Sequence, residues 1–159
     1  VFCYKQHTLV DHNGLVMAVE TTAANCHDSK LLLTLLDKAE IVPGTRGVHA
    51  NKAYCSQKHR EALKSRGIKN GIQDKALKNK PLTARQIQRN RLITQARYVV
   101  ERTFGSQTRW FGSKILRYYG RAKAHAWHIL QAMAYNLKRL PRLYVERLLP
   151  RQPQASCVF

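Results

Sequence analysis

Nine carboxylates are set against 28 Lys and Arg in this 159-residue chain, so each acid can be weighed for chemistry. Glu101 stands out. It lies in the cationic stretch Arg97-Tyr98-Val99-Val100-Glu101-Arg102, with Arg97 one helical turn before it on the same face and Arg109 two turns beyond. A lone carboxylate among guanidinium groups suits a metal ligand beside phosphate-binding cations; the alternative is a surface i,i+4 ion pair with Arg97, worth a few tenths of a kcal/mol. The second candidate is Asn51, in Arg46-Gly47-Val48-His49-Ala50-Asn51-Lys52-Ala53-Tyr54. This stretch reads as a short strand ending on a small polar residue before a turn, where a sheet edge can hold a metal-binding side chain. An amide oxygen can touch a cation but brings no charge. In-line chemistry at a phosphodiester needs two divalent ions about 4 Å apart, held by clustered carboxylates, to polarise the attacking and leaving oxygens; neither stretch alone identifies such a centre. Mg²⁺, a hard cation, takes oxygen ligands for such work.

The other acids read as structural or carry no signal: Asp11 in a turn, Asp28 at a helix cap, Asp37 and Glu40 in a last helical turn, Glu61 on a helix surface, and Glu20, Asp74 and Glu146 without informative context. His125 and His128 are spaced to share a metal, but nothing completes such a site, and partly buried helix residues are the simpler expectation. Trp110 and Trp127 could stack on bases; packing is expected for Trp127, and a more open place for Trp110 beside Arg109. Lys75, Lys78, Lys80, Arg85, Arg89 and Arg91 form a basic run that fits phosphate contacts or a solvated cationic surface.

These residues need a scaffold, and the pattern supplies one. Tyr4 to Val10 and Leu15 to Thr21 read as strands joined by Asp11-His12-Asn13-Gly14, whose Asn-Gly pair provides the positive φ of a tight hairpin. Asp28 or Ser29 is expected to cap a helix to about Ala39 with Leu31, Leu32, Leu35 and Leu36 on one face, and Pro43-Gly44 to end that unit. After the strand at Val48, a helix from about Ser56 to Arg66 is closed by Gly67, and Ile68 to Ile72 reads as an edge strand. Lys75 to Pro81 is a loop. Thr83-Ala84-Arg85-Gln86 has the form of a capping box and opens a helix through about Phe104, with Ile93, Ala96, Val100 and Phe104 inward. Trp110 to Gly120 reads as a loop or short strand. A final helix from Ala122 to Leu140 has Ala126, Ile129, Leu130, Met133 and Leu137 inward, with Pro141 as its stop and a flexible tail over 146–159. The element order predicts an α/β fold, a mixed sheet with helices on both faces.

Composition narrows the function. An apolar fraction of 44% suits one domain with a real core. The net charge of +19 attracts polyanions, so nucleic acid is the first partner to test. No apolar run approaches the ~20 residues needed to cross a bilayer, and no secretory pattern opens the chain, so no membrane association and a cytoplasmic place are expected. Cys3, Cys26, Cys55 and Cys157 are scattered and read as free thiols rather than disulfides or a zinc site.

Several of these motifs, in order over roughly residues 4 to 145, resemble the DDE transposases of small bacterial insertion sequences. Tyr4-Lys5-Gln6-His7 is similar to that family's Gly-Tyr-Lys-x-His strand, with Cys3 where Gly is usual; Val19-Glu20-Thr21-Thr22-Ala23-Ala24-Asn25 with Asp28-Ser29 resembles its next strand and turn. His49-Ala50-Asn51-Lys52-Ala53-Tyr54 resembles a motif written Ala-Asp-Lys-Gly-Tyr. Arg97 with Val100-Glu101-Arg102 resembles the Arg-x-x-x-Glu signature, and Ala134-Tyr135-Asn136-Leu137 the closing helix. The resemblance implies a ribonuclease-H-like fold, Mg²⁺, movement of DNA by cleavage and strand transfer at insertion-sequence terminal repeats, and action as a homodimer in the bacterial cytoplasm. It assigns Glu101 and Asn51 as catalytic and metal positions, and Lys52, Arg97 and Arg102 as DNA contacts beside the basic run.

The departures matter equally. The family's first Asp lies on a central strand before Tyr4, which this chain does not contain, and Val1 is not a methionine. The middle acid is Asn51. Gly47 reads as an inserted residue, expected to bulge its strand or flip the side chains after it. One of three acids remains, so a partial catalytic domain over 1–145, inactive in cleavage, is the expectation. A non-enzymatic basic nucleic-acid-binding module is the alternative, and a ribosome-associated protein preferring RNA a third.

Overall fold

A computed structural model describes residues 3–40, 47–78, 80–113 and 115–148, the side chains of 146–148 excepted. The expected stop at Pro43-Gly44 and the tail from residue 149 lie outside the described residues. Two small sheets and four α-helices make up a mixed α/β structure. Strands β1 (Tyr4–Val10) and β2 (Val16–Ala23) pair antiparallel, while β3 (Val48–Ala50) and β4 (Asn70–Ile72) pair parallel. The expected single mixed sheet is therefore two separate pairs: among the described residues no ladder joins β1 to β3, and each leaves one edge unpaired.

Local chemistry explains the hairpin. Asp11 accepts the Leu15 amide at 2.7 Å and the Asn13 side chain at 3.2 Å, and Gly14 supplies φ of 85°. A register shift between Leu9 and Val10 leaves Met17 without an opposite residue, a bulge that turns Val19 and Thr21 toward the side of Val16. The segment expected as one helix from Asp28 is a 3₁₀ turn (Asp28–Leu31) followed by α1 (Leu32–Lys38), and His27 rather than Asp28 or Ser29 provides the cap. Helix α2 (Gln57–Ser65) is capped by Ser56 and closed by left-handed Gly67, as its sequence predicts. Leu32 and Leu36 of α1 and Leu63 of α2 enclose Val48, Ala50 and Ile72 of the parallel pair. Gly47 adds no bulge. Strand β3 begins after it and stays in register, and a Cβ at Gly47 would lie 3.1 Å from the Lys69 carbonyl.

The two long helices depart from expectation. Thr83 and Gln86 form the predicted capping box, but α3 (Ala84–Phe111) runs past Phe104 until left-handed Gly112, taking Trp110 and Phe111 with it. Its buried residues are Asn90, Ile93, Thr103 and Gln107; Ala96 is exposed. Helix α4 (Arg121–Leu148) continues through Pro141. Its buried face is Ala124, His128, Gln131, Ala132 and Tyr135, whereas Ala126, Ile129, Leu130, Met133 and Leu137 point to solvent. The expected inward stripe was real but on the opposite side, because polar His128, Gln131 and Tyr135 find partners on the hairpin and on α3.

Two asparagine side chains lock helices to strands. Asn136 of α4 accepts the Val16 amide at 2.8 Å and donates to the Val16 carbonyl at 2.9 Å. Asn90 of α3 does the same to Asp74, at 2.8 and 3.0 Å. Each replaces a missing ladder partner for a backbone that would otherwise be unsatisfied. Asn136→Ala removes two such bonds, with an expected loss of about 2–3 kcal/mol and a fall in melting temperature of roughly 5–10 °C by circular dichroism. A shift within the scatter of surface substitutions would show that Val16 needs no partner.

Candidate nucleic-acid interface and degenerate metal position

The C-terminal end of β3, the turn after it and the middle of α3 place the expected site residues. Asn51 follows β3 and caps the 3₁₀ turn Lys52–Tyr54, its Oδ1 accepting the Ala53 amide at 2.9 Å. Arg97 of α3 acts electrostatically on Tyr54, as does Asp28 from the turn after the hairpin. Burial first, then the Asp28 carboxylate, pushes the Tyr54 phenol up, while Arg97 pulls it back. Lys5 of β1 reaches Asp28 at 3.1 Å and the Cys26 carbonyl at 3.1 Å. Sequence reasoning left out Lys5 and Tyr54 and gave Asp28 a capping role. The one signal for them was that all three fall inside segments resembling transposase motifs.

Glu101 is exposed on α3, and no described residue makes an ion pair with it, Arg97 included. Its carboxylate is thus open to a ligand. Arg102 leans over the hairpin turn, where a Cβ on Gly14 would lie 3.2 Å from its Nη2. A two-ion centre needs more acid than this: among the described residues no three His, Cys, Asp or Glu side chains cluster as a metal set, and the Asn51 oxygen is already engaged. The donor set does not fit the pair of dications expected from the resemblance.

Of the basic run, Lys75, Lys78, Lys80, Arg85 and Arg91 are exposed, as is Lys52, and none of them has an ion-pair partner among the described residues. Arg89 differs. It donates to the Ile72 carbonyl at 2.9 Å, to the Asn70 carbonyl at 2.8 Å and to Asp74 Oδ2 at 2.9 Å. Asp74 is 8% exposed and also takes Arg60 at 2.6 Å. Arg89 therefore ties α3 to β4, and its guanidinium is committed inside the fold rather than presented to a phosphate.

The histidine pair on α4 converges on one hydroxyl: Thr21 Oγ1 lies 2.7 Å from His128 Nδ1 and 3.2 Å from His125 Nδ1. Trp127 packs against Tyr118 with ring centroids 5.4 Å apart, and Lys138 sits 3.1 Å over the Trp110 ring.

Burial lowers the His7, His49 and His128 pKa values below 6.5, with help from Lys5, Arg89 and His125 respectively. Each then binds a proton more readily in the unfolded chain. The stability their neutral forms contribute is complete above pH 6.5 and is lost as pH falls below it. Glu20 adds to this at lower pH: burial pushes it up, but Lys38, the Thr21 amide and His125 together hold it below 4.5, so its stabilisation is lost as pH falls through its folded pKa. The melting temperature is expected to fall steadily from about pH 7.5 to 5, and His128→Gln to flatten that slope. A profile that is flat or inverted over this range would contradict the assignment.

Comparison with known proteins follows the same lines. The transposase DDE domain family matches residues 1–137. The chain is 41% identical over 134 residues to the transposase for insertion sequence element IS1106 of Neisseria meningitidis serogroup B, covering 84% of this chain and 46% of that protein. It is 34% identical over 108 residues to a candidate transposase for insertion sequence element IS402 of Burkholderia cepacia, covering 62% of this chain and 46% of the relative. The chain thus spans about half the length of these relatives. No solved structure matches it significantly. Among the described residues no helix is long and apolar enough to cross a membrane.

Proposed function

Because the chain belongs to the transposase DDE domain family, we propose that it is part of a bacterial insertion-sequence transposase that holds DNA at the terminal repeats but does not itself cut it. The observation that carries this is the contrast between its charges. Lys52, Lys75, Lys78, Lys80, Arg85 and Arg91 are exposed and unpaired among the described residues, while the position of the middle catalytic acid is a neutral Asn51 engaged as a cap. Arg97 and Arg102 flank Glu101 and complete the DNA-facing set. Glu101 keeps the position of the family's last acid, but Asn51 brings no charge and its oxygen is engaged by the Ala53 amide, so any Mg²⁺ is held weakly and no cleavage follows. The domain occupies 1–145, and its fold is ribonuclease-H-like. The unpaired edges of β1 and β3 support that fold, since there a further central strand lies between them. The protein acts in the cytoplasm as a homodimer on paired ends. A non-enzymatic basic nucleic-acid-binding module remains the second reading, favoured by the same exposed cations, and differs in needing no descent from a cleaving enzyme.

The test is binding of a labelled DNA duplex, read by fluorescence anisotropy with and without Mg²⁺. Binding that is unchanged by chelating the metal is expected. Failure to bind duplex, or a preference for single-stranded RNA, would overturn the proposal.

A further inference from the structure

Helix α4 packs one side against the hairpin and α3, where buried His128 and Gln131 find polar partners, and leaves a second, apolar side uncovered. The side away from the hairpin carries Ala126, Leu130, Met133, Leu137, Leu140 and Tyr144, of which Leu130 is 58%, Met133 56%, Leu137 68%, Leu140 47% and Tyr144 66% exposed. The spacing of these six is 4, 3, 4, 3, 4, an unbroken run of coiled-coil seam positions.

We propose that this stripe is the contact between two copies of the chain, with the α4 helices antiparallel about a dyad near Tyr135. In that arrangement Ala126 meets Tyr144 of the other copy, Leu130 meets Leu140, and Met133 meets Leu137. Every layer is apolar, and the smallest residue faces the largest. The positions flanking the seam, Trp127, Ile129, Ala134, Asn136, Pro141 and Leu143, carry no charge, so no cation lies within or directly beside the six-residue seam; exposed Lys123, the next seam position before Ala126, lies just outside it. Two other nearby cations are turned onto their own chain: Lys138 over the Trp110 ring, and Arg139 to the Asn13 carbonyl at 3.2 Å. The inference rests on the homodimer proposed above and gives it a surface. Its test reads mass in the absence of DNA, so it can fail while DNA binding stands, and the reverse.

Sedimentation equilibrium of the 159-residue chain at about 50 μM in ~150 mM salt, enough to screen long-range repulsion, should return twice the 18.3 kDa monomer mass. Leu137→Glu and Met133→Lys should each return a monomer with unchanged helical circular dichroism, because both sites are exposed in the monomer. Combined in one chain, the two substitutions place opposite charges across both central layers of the antiparallel pair, and the dimer should return. Were either single variant to lose its fold, Leu130→Ala with Leu137→Ala should still weaken self-association at least tenfold. A monomeric wild-type chain, or a dimer untouched by Leu137→Glu or by the alanine pair, would overturn the interface. A double variant that remains monomeric would overturn the antiparallel register.

Discussion

Replacing Arg89 by alanine is expected to cost the fold about 3 kcal/mol, because hydrogen bonds to charged groups contribute roughly 1.5–3 kcal/mol each and this side chain makes several. The variant removes bonds to two backbone carbonyls, one at each end of β4, and one of two cations on Asp74. Asp74, almost fully buried, keeps Arg60, and the partial exposure of the Arg89 side chain, 35%, holds the loss below that of a sealed ion pair. For a domain of this size the melting temperature should drop by about 6–12 °C. If Arg89 were instead a phosphate contact, Arg89→Ala would leave thermal stability within about 1 kcal/mol and lower the salt dependence of DNA binding. Thermal melts and anisotropy on the same variant separate these outcomes.

DNA affinity itself should be strongly salt-dependent. Eight cations remain once Arg89 is set aside: Lys52, Lys75, Lys78, Lys80, Arg85, Arg91, Arg97 and Arg102. If about six of them engage phosphates, the slope of log affinity against log salt is near −5, and affinity falls on the order of 10³-fold between about 50 and 200 mM salt. Arg85→Ala with Arg91→Ala should flatten that slope by about two and weaken binding evenly across sequences. Both side chains are exposed, so the fold should tolerate the change. A slope near zero would place the cationic face away from the DNA.

Local signals made much of the frame legible. The Thr83–Gln86 capping box, the Asn-Gly hairpin and the Ser56 and Gly67 caps of α2 each satisfy backbone groups with residues a few positions away, so their sequence is enough. What failed depended on distant partners. Arg89 looked like one more cation in a basic run until Asp74, fifteen positions earlier, was seen beneath it. Pro141 looked like a stop, but losing one backbone bond does not end a helix whose preceding turns are anchored through Tyr135 and Asn136. The inward face of α4 was misassigned because periodicity marks an apolar stripe without saying what covers it. Glu101 and Asn51 stand out by motif alone, and among the described residues no cluster of His, Cys, Asp or Glu gathers there as a metal set. The convergence of Lys5, Asp28, Tyr54 and Arg97 came from four separate segments, which no spacing rule joins.

The central claim is that this chain holds DNA without cutting it. It is tested most directly by incubating the purified protein with supercoiled plasmid in Mg²⁺, at concentrations where anisotropy shows the DNA bound, and resolving the products on a gel. The plasmid is expected to remain supercoiled, because Glu101 with a neutral Asn51 cannot hold the ion pair that in-line cleavage requires. Nicked or linear product that appears with Mg²⁺, and disappears in Glu101→Gln, would contradict the account.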